Sequence, residues 1–312
     1  MSYEKMNLFG SQRKPFLFIS NFDASKIEVF PLEMLQKFDI EYTIQRNYHY
    51  KPHPHTLEKE PISYDNYQKK FHQIISQIKK GNTYLLNLTQ PTKIKTNLTL
   101  KQIYQIANAN YKLRYQDKFV CFSPEAFLKI KNNTINTFPM KGTIDASLPN
   151  AKEQILLNKK ELAEHVMVVD LLRNDLSMVA TNVRVKKFRY ITNIDAGEKK
   201  LLQVSSHIQG NLEKNWHNHI GTIIKTLLPA GSITGTPKKS TVDIIKDVEE
   251  YERDFFTGVF GVYDGETLDS GVMIRFIENT PDGILYKSGG GITLDSDPLQ
   301  EYQELLNKVY LP

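Results

Sequence analysis

The chain has 312 residues, 40% hydrophobic and 24% charged, with a mean hydropathy of −0.42 and a formal net charge of +5. This is globular composition, and no uninterrupted apolar run approaches membrane length, which excludes a spanning helix. One cysteine, Cys121, excludes an internal disulfide framework and a cysteine-based metal cluster.

The interspersed charges imply attraction for small anions and speak against a nucleic-acid partner. The N-terminus carries no apolar signal region, so a cytoplasmic protein away from membranes is expected. In residues 1–61 the clearest signal is a buried strand at 16–19. An irregular connection follows at 48–61, with three prolines and three histidines. His49, His53 and His55 do not make a metal site on this reading. Pro52 and Pro54 favour an extended run that splays them, and no fourth ligand is near.

From Ser63 the pattern sharpens. Phe71, Ile74, Ile75 and Ile78 share one helical face that stops at Gly81. A strand over 83–90 and a short helix over 98–109, capped by Thr99, come next. Residues 119–122 and 126–130 read as strands, and Lys131-Asn132-Asn133 turns the chain into a further strand over 134–140. That hairpin brings Ser123-Pro124-Glu125 and Lys141 to the same end. One long helix is predicted over 150–174, with short strands over 184–191 and 201–205 and a helix over 217–227. The loop 229–237 leads into a helix with Pro237 at its first position. A hairpin over 255–263 and 269–277 and a strand over 284–288 follow. Gly289-Gly290-Gly291 ends that strand, and Asp297-Pro298 opens a C-terminal helix. Hairpins punctuated by helices imply an α+β fold in a single large domain of mainly antiparallel sheets. Residues 1–61 are read as strands and a connection packed on a main domain at 62–312.

Lys141 stands between a proline-led strand end and a Gly-Thr turn. It reads either as an exposed loop lysine or as an amine in a partly closed site, able to act as nucleophile or base. Glu161 and Glu164 are three apart on one predicted helix, and Glu301 and Glu304 on another, so each pair projects from one face. Such pairs are commonly solvated surface. Facing each other across a cleft, four carboxylates would suit Mg²⁺. The loop at 231–239 fails as a phosphate loop, since three residues and not four separate Gly231 from Gly235. The helix start at Pro237 and a backbone nest at Gly289-Gly290-Gly291 can still cradle anions, and Arg275 can offer a forked partner to a carboxylate.

Seven runs in order carry a resemblance. They are Ser123-Pro124-Glu125, Pro139-Met140-Lys141-Gly142-Thr143, Glu161-Leu162-Ala163-Glu164-His165, the run from Val169 to Asp175, the run from Gly231 to Lys238, Ser288-Gly289-Gly290-Gly291-Ile292, and Glu301-Tyr302-Gln303-Glu304 with Lys308. Over residues 62–312 the chain resembles the chorismate-utilising enzymes, most closely the aminodeoxychorismate synthase component I branch. The resemblance implies two sheets packed face to face with peripheral helices. It implies amination of chorismate to 4-amino-4-deoxychorismate, with ammonia from a separate glutamine amidotransferase subunit. Lys141 would form a covalent adduct and Glu125 would be the general acid. Mg²⁺ would be held by Glu161, Glu164, Glu301 and Glu304. Substrate would meet Gly142, Thr143, Thr234, Phe256, Arg275, Gly289, Gly290, Gly291 and Lys308. Lys141 separates this branch from anthranilate synthases, which resemble it but usually carry alanine there. Leu85, Gln203 and Phe256 depart from residues common among the relatives. The short N-terminal portion implies weak or absent tryptophan regulation. A non-catalytic chorismate-binding relic is the reading from another class.

Overall fold

The computed structural model describes residues 2–44, 53–196 and 199–312. Among these, two antiparallel sheets of nine and eight strands enclose the core. Phe16–Ser20 is buried at every position because Ile27–Pro31 and Val259–Tyr263 pair with it on either side. Ile40–Ile44 extends the second sheet by pairing with Tyr111–Tyr115. The N-terminal strands are therefore integral to both sheets and not an appendage packed on a completed domain. Leu17, Ile19 and Phe260 of one sheet meet Leu113, Phe119 and Phe276 of the other in a shared apolar layer. Phe119 and Phe276 stack at 4.7 Å there. Cys121 is fully buried in this layer, so its thiol is a small core group.

Several elements match the expectations closely. Tyr64–Lys79 is a helix capped by Ser63, and Thr99 makes a full capping box with Gln102 ahead of Leu100–Ile106. Asn132 and Asn133 both adopt positive φ, the turn that joins Ala126–Lys131 to Thr134–Thr137.

Other elements differ. The predicted helix over 150–174 is two helices, Ala151–Leu157 and Lys159–Ser177, because Asn158 turns extended and caps the second with its side chain. The short strands around 184–205 are the long ladder of Thr181–Ala196 and Lys199–Asn211. The predicted hairpin over 255–277 is confined to Val259–Tyr263 and Leu268–Val272. Phe276–Thr280 belongs to the other sheet, with Arg275 at φ 52 at the crossing between them. A helix at Ser2–Ser11, not anticipated, lies against Ile220–Leu227; Asn7 accepts the Gly221 N–H at 2.7 Å. Of the three N-terminal histidines, His49 lies outside the described residues. His53 and His55 are exposed and bond only nearby carbonyls.

Candidate active site

The site forms where an edge strand of the first sheet and an interior strand of the second meet two helix starts. Met140–Asp145 pairs with Lys199–Asn211, and the register shifts between Met140 and Thr143. Lys141 and Gly142 occupy that bulge, with Gly142 at φ +86, and the bulge turns the lysine out of the ladder. Its Nζ lies 2.8 Å from Glu164 Oε2. Burial alone would lower the Lys141 pKa, but Glu164, with Glu304 and Glu161 behind it, outweighs burial and holds the amine above its ordinary value.

Both predicted glutamate pairs arrive from helix first turns or just beyond. Asn158 accepts the Glu161 N–H at 3.1 Å, and Asp297 accepts the Gln300 N–H at 2.9 Å to start Pro298–Asn307. Glu301 accepts from Ser296 at 2.9 Å, and Glu304 pairs with Lys308 at 2.6 Å. Lys308 also donates to the Gly289 carbonyl at 2.7 Å. Burial, the largest influence, leaves the Lys308 amine below its ordinary value despite Glu304, with Arg275 and Lys141 adding repulsion.

The three glycines correct the expected backbone nest. They lie within the extended strand Gly283–Ile292, hydrogen-bonded to Leu85–Lys95, so their N–H groups are not gathered at one point. Their use is the missing side chain. A Cβ on Gly291 would sit 3.4 Å from Lys141 Nζ. One on Gly290 would sit 3.3 Å from Glu301 Oε2 and 3.6 Å from Glu304 Oε1, and one on Gly142 would sit 3.1 Å from Glu161 Oε2. Bare backbone thus paves the floor beneath the lysines and carboxylates.

Glu125 enters from the strand crossing opposite. Its N–H is received by Ser123 Oγ at 3.1 Å, and Ser232 Oγ donates to its Oε1 at 2.5 Å. Burial raises the carboxyl pKa against the pull of Ser232, Lys141 and Lys308. A carboxyl with a raised pKa suits an acid catalyst. The charge of Lys141 is among those that pull on the Glu125 carboxyl.

Other residues expected to meet substrate are placed less uniformly. Arg275 lies over the Tyr310 ring at 5.3 Å, and its Nε is buried with no hydrogen-bond partner among the described residues. Thr143 is exposed at the strand edge opposite Gln203. Thr234 is fully buried and donates to the Ala230 carbonyl at 2.8 Å, so its hydroxyl proton serves the turn. Phe256 is corrected: at 2% exposure it packs on Phe276 in the inter-sheet layer, because a phenyl ring without a hydroxyl gains most from apolar burial.

The loop that carries Ser232 is anchored by residues given no role by sequence reasoning. Asp175, at the end of the matched 169–175 run, pairs with Lys238 at 2.8 Å, and Lys238 also caps the Leu227 carbonyl. Arg253 is buried against Glu249 and donates to the carbonyls of Ile233 at 3.3 Å and Asn87 at 2.6 Å. Asn87 in turn donates to the Ser232 carbonyl at 3.2 Å. His165, also in a matched run, is fully buried and meets Ser206 Oγ at 2.7 Å. Burial, with Arg189 and Lys141 nearby, lowers its pKa to about 4, so it is neutral. The i, i+4 step from Glu161 to His165 was the available clue, since it puts the imidazole on the glutamate face. A surface cavity of about 470 Å³ beside Lys70, Gln90 and Tyr251 is lined by neither Lys141, Glu125 nor the two glutamate pairs.

A lysine paired with a carboxylate, a carboxyl whose pKa burial raises and two helical carboxylate pairs over a glycine floor make a site suited to a small anionic substrate. The chain belongs to the chorismate binding enzymes, whose family model matches residues 17–311. It is 51% identical to an uncharacterized PabA-like protein of Haemophilus influenzae, over 99% of this chain and 95% of that one. It is 30% identical to aminodeoxychorismate synthase component 1 of Bacillus subtilis, over 80% of this chain and 55% of the relative, so it spans about half that protein's length. Among solved structures, an isochorismate synthase of Bacillus anthracis superposes with a TM-score of 0.74 at 19% identity, covering 98% of this chain and 87% of that one. Among the described residues no helix is long and apolar enough to cross a membrane.

Proposed function

We propose that this chain aminates chorismate to 4-amino-4-deoxychorismate, the step that leads toward para-aminobenzoate and folate, using ammonia from a glutamine amidotransferase subunit. The observation that carries the reading is the position of Lys141: its amine faces the glycine floor at Gly291 and lies within electrostatic reach of Glu125, whose pKa burial raises. The Bacillus subtilis aminodeoxychorismate synthase component 1 likeness supports the same reaction.

In this reading Lys141 first gives up to solvent the proton that its pair with Glu164 holds on it, and the neutral amine attacks C2 of the ring. The ring double bond shifts and the C4–O bond breaks, and the hydroxyl leaves as water with the proton of Glu125. Ammonia then adds at C4, the double bond shifts back and the C2–N bond breaks, returning Lys141 as an amine, and the proton shed by the new C4 ammonium returns to Glu125. Chorismate and ammonia are thereby exchanged for product and water. Arg275, whose buried Nε has no partner among the described residues, suits a substrate carboxylate. Gly290 and Gly291 let the ring approach the strand backbone.

The reading includes Mg²⁺. Among the described residues no three acidic or histidine side chains are already gathered as a metal shell, since Glu164 and Glu304 pair with Lys141 and Lys308. The donor set is nonetheless all carboxylate oxygen, which fits Mg²⁺, and Glu161, Glu164, Glu301 and Glu304 would hold it. When bound, the cation supplies positive charge that offsets these carboxylates and engages a carboxylate of the substrate.

The test is product identity. Protein, chorismate, Mg²⁺ and an ammonium salt are incubated at mildly alkaline pH, and the product is analysed by mass and absorbance. The reading predicts 4-amino-4-deoxychorismate; anthranilate, or no turnover under any of these conditions, overturns it.

A further inference from the structure

We infer that Ser232 is a positioning residue that fixes which oxygen of Glu125 carries the transferable proton; this rests on the reading of Glu125 as the acid. The hydroxyl donates to Oε1 at 2.5 Å. A carboxyl whose Oε1 accepts that bond carries its own proton on Oε2, and Oε2 is then the oxygen left to donate. Once the proton has gone, the same Ser232 bond stabilises the carboxylate that remains, so it strengthens as the acid acts.

Ser232 is itself held firmly. Its carbonyl accepts from Asn87 at 3.2 Å, and the Asn87 carbonyl accepts from Arg253 at 2.6 Å. Arg253 also reaches the Ile233 carbonyl at 3.3 Å, so one buried guanidinium ties down both sides of the serine. Gly231, just before it, packs where a Cβ would come within 2.9 Å of Asp175 Oδ2, which seats the turn on the helix Lys159–Ser177. On the other side, Ser123 Oγ accepts the Glu125 N–H at 3.1 Å and fixes the backbone from which the carboxyl projects. The groups that face Glu125 electrostatically are Ser232, Lys141 and Lys308, and of these Ser232 alone is a neutral hydroxyl.

The experiment compares wild type with Ser232→Ala and Ser232→Thr in two readouts. Carbon-13 NMR of carboxyl-labelled glutamate, with Glu125→Gln to assign the signal, follows the Glu125 titration without any turnover. Steady-state kinetics with chorismate, Mg²⁺ and ammonium give kcat and KM separately. Ser232→Ala is expected to move the Glu125 titration upward and to lower kcat about tenfold or more, leaving KM for chorismate close to wild type. Ser232→Thr, which keeps the hydroxyl, is expected to restore most of both. An unchanged titration and kcat in a folded Ser232→Ala protein overturns the inference while leaving the amination reading standing. Wild type that titrates as described yet never turns over chorismate overturns both. If Ser232→Ala does not fold, Ser232→Cys, a poorer donor of similar size, takes its place with the same expected direction.

Discussion

Gly291→Ala separates substrate space from folding. Gly291 has ordinary strand geometry, so alanine fits its backbone. The added Cβ would meet Leu85 Cδ1 at 3.2 Å, the movable end of a side chain, and Lys141 Nζ at 3.4 Å. Loss of glycine freedom in the unfolded chain contributes about 0.4–1 kcal/mol of stability. The small adjustment at Leu85 offsets part of this, leaving a net change within about 1 kcal/mol. For a chain of this size that moves Tm by about 2 °C. The effect on catalysis is far larger. The methyl occupies the floor directly before the amine, and a misplacement of about 1 Å costs roughly 100-fold, or about 2.7 kcal/mol of transition-state stabilisation. Gly289→Ala makes the contrast, because there a Cβ would overlap the Leu88 carbonyl oxygen and lie 2.7 Å from Thr89 Cα. Backbone cannot move aside, so that variant should lose about 3 kcal/mol or more. Thermal unfolding and kcat/KM for chorismate with ammonium, measured on both variants, check the pair. Wild-type kcat/KM in Gly291→Ala would refute the glycine floor, and wild-type stability in Gly289→Ala would refute the packing argument.

Three further outcomes are expected. Lys141→Ala should remove amination while the protein remains folded; turnover at the wild-type rate would contradict the covalent step. Glu164→Gln should weaken Mg²⁺ activation by about tenfold or more in a metal titration of turnover, and an unchanged activation curve would take Glu164 out of the metal set. Below neutral pH the protein should lose stability through His217. Arg13 Nη1 lies 2.6 Å from its Nε2 and Tyr263 OH 2.7 Å from its Nδ1, so a second ring proton would confront the guanidinium. Burial, with Arg13, lowers its pKa to about 4. The unfolded histidine, near pKa 6.5, then binds a proton that the folded one refuses. This stability is fully present above about pH 6.5 and is lost as pH falls from there toward 4. Calorimetric Tm across that window checks it, and Tm in a His217→Gln variant should fall less steeply.

Local chemistry made much of this protein legible in its sequence. Thr99, Asn132-Asn133 and Asp297-Pro298 act within four residues of themselves, and each produced the cap or turn its chemistry requires. The glutamate pairs were legible because spacing on one helix fixes a shared face. What depended on distant partners was not. Arg275 takes positive φ and moves Phe276–Thr280 into the second sheet, which no pattern within 255–277 reveals. Asn158 breaks a continuous helical pattern because its side chain captures the Glu161 N–H. Gly289-Gly290-Gly291 reads as a strand end forming a backbone nest until Leu85–Lys95 pairs with it. Ser232 was invisible for the same reason: its partner Glu125 is 107 positions earlier.

The most direct test of the central claim is the mass of the protein after incubation with chorismate and Mg²⁺ in the absence of ammonia. The account predicts an adduct of chorismate less one water, mapped by peptide analysis to Lys141 and released as 4-amino-4-deoxychorismate when ammonium is added. Turnover to that product with no adduct at Lys141, or an adduct at another residue, would contradict it.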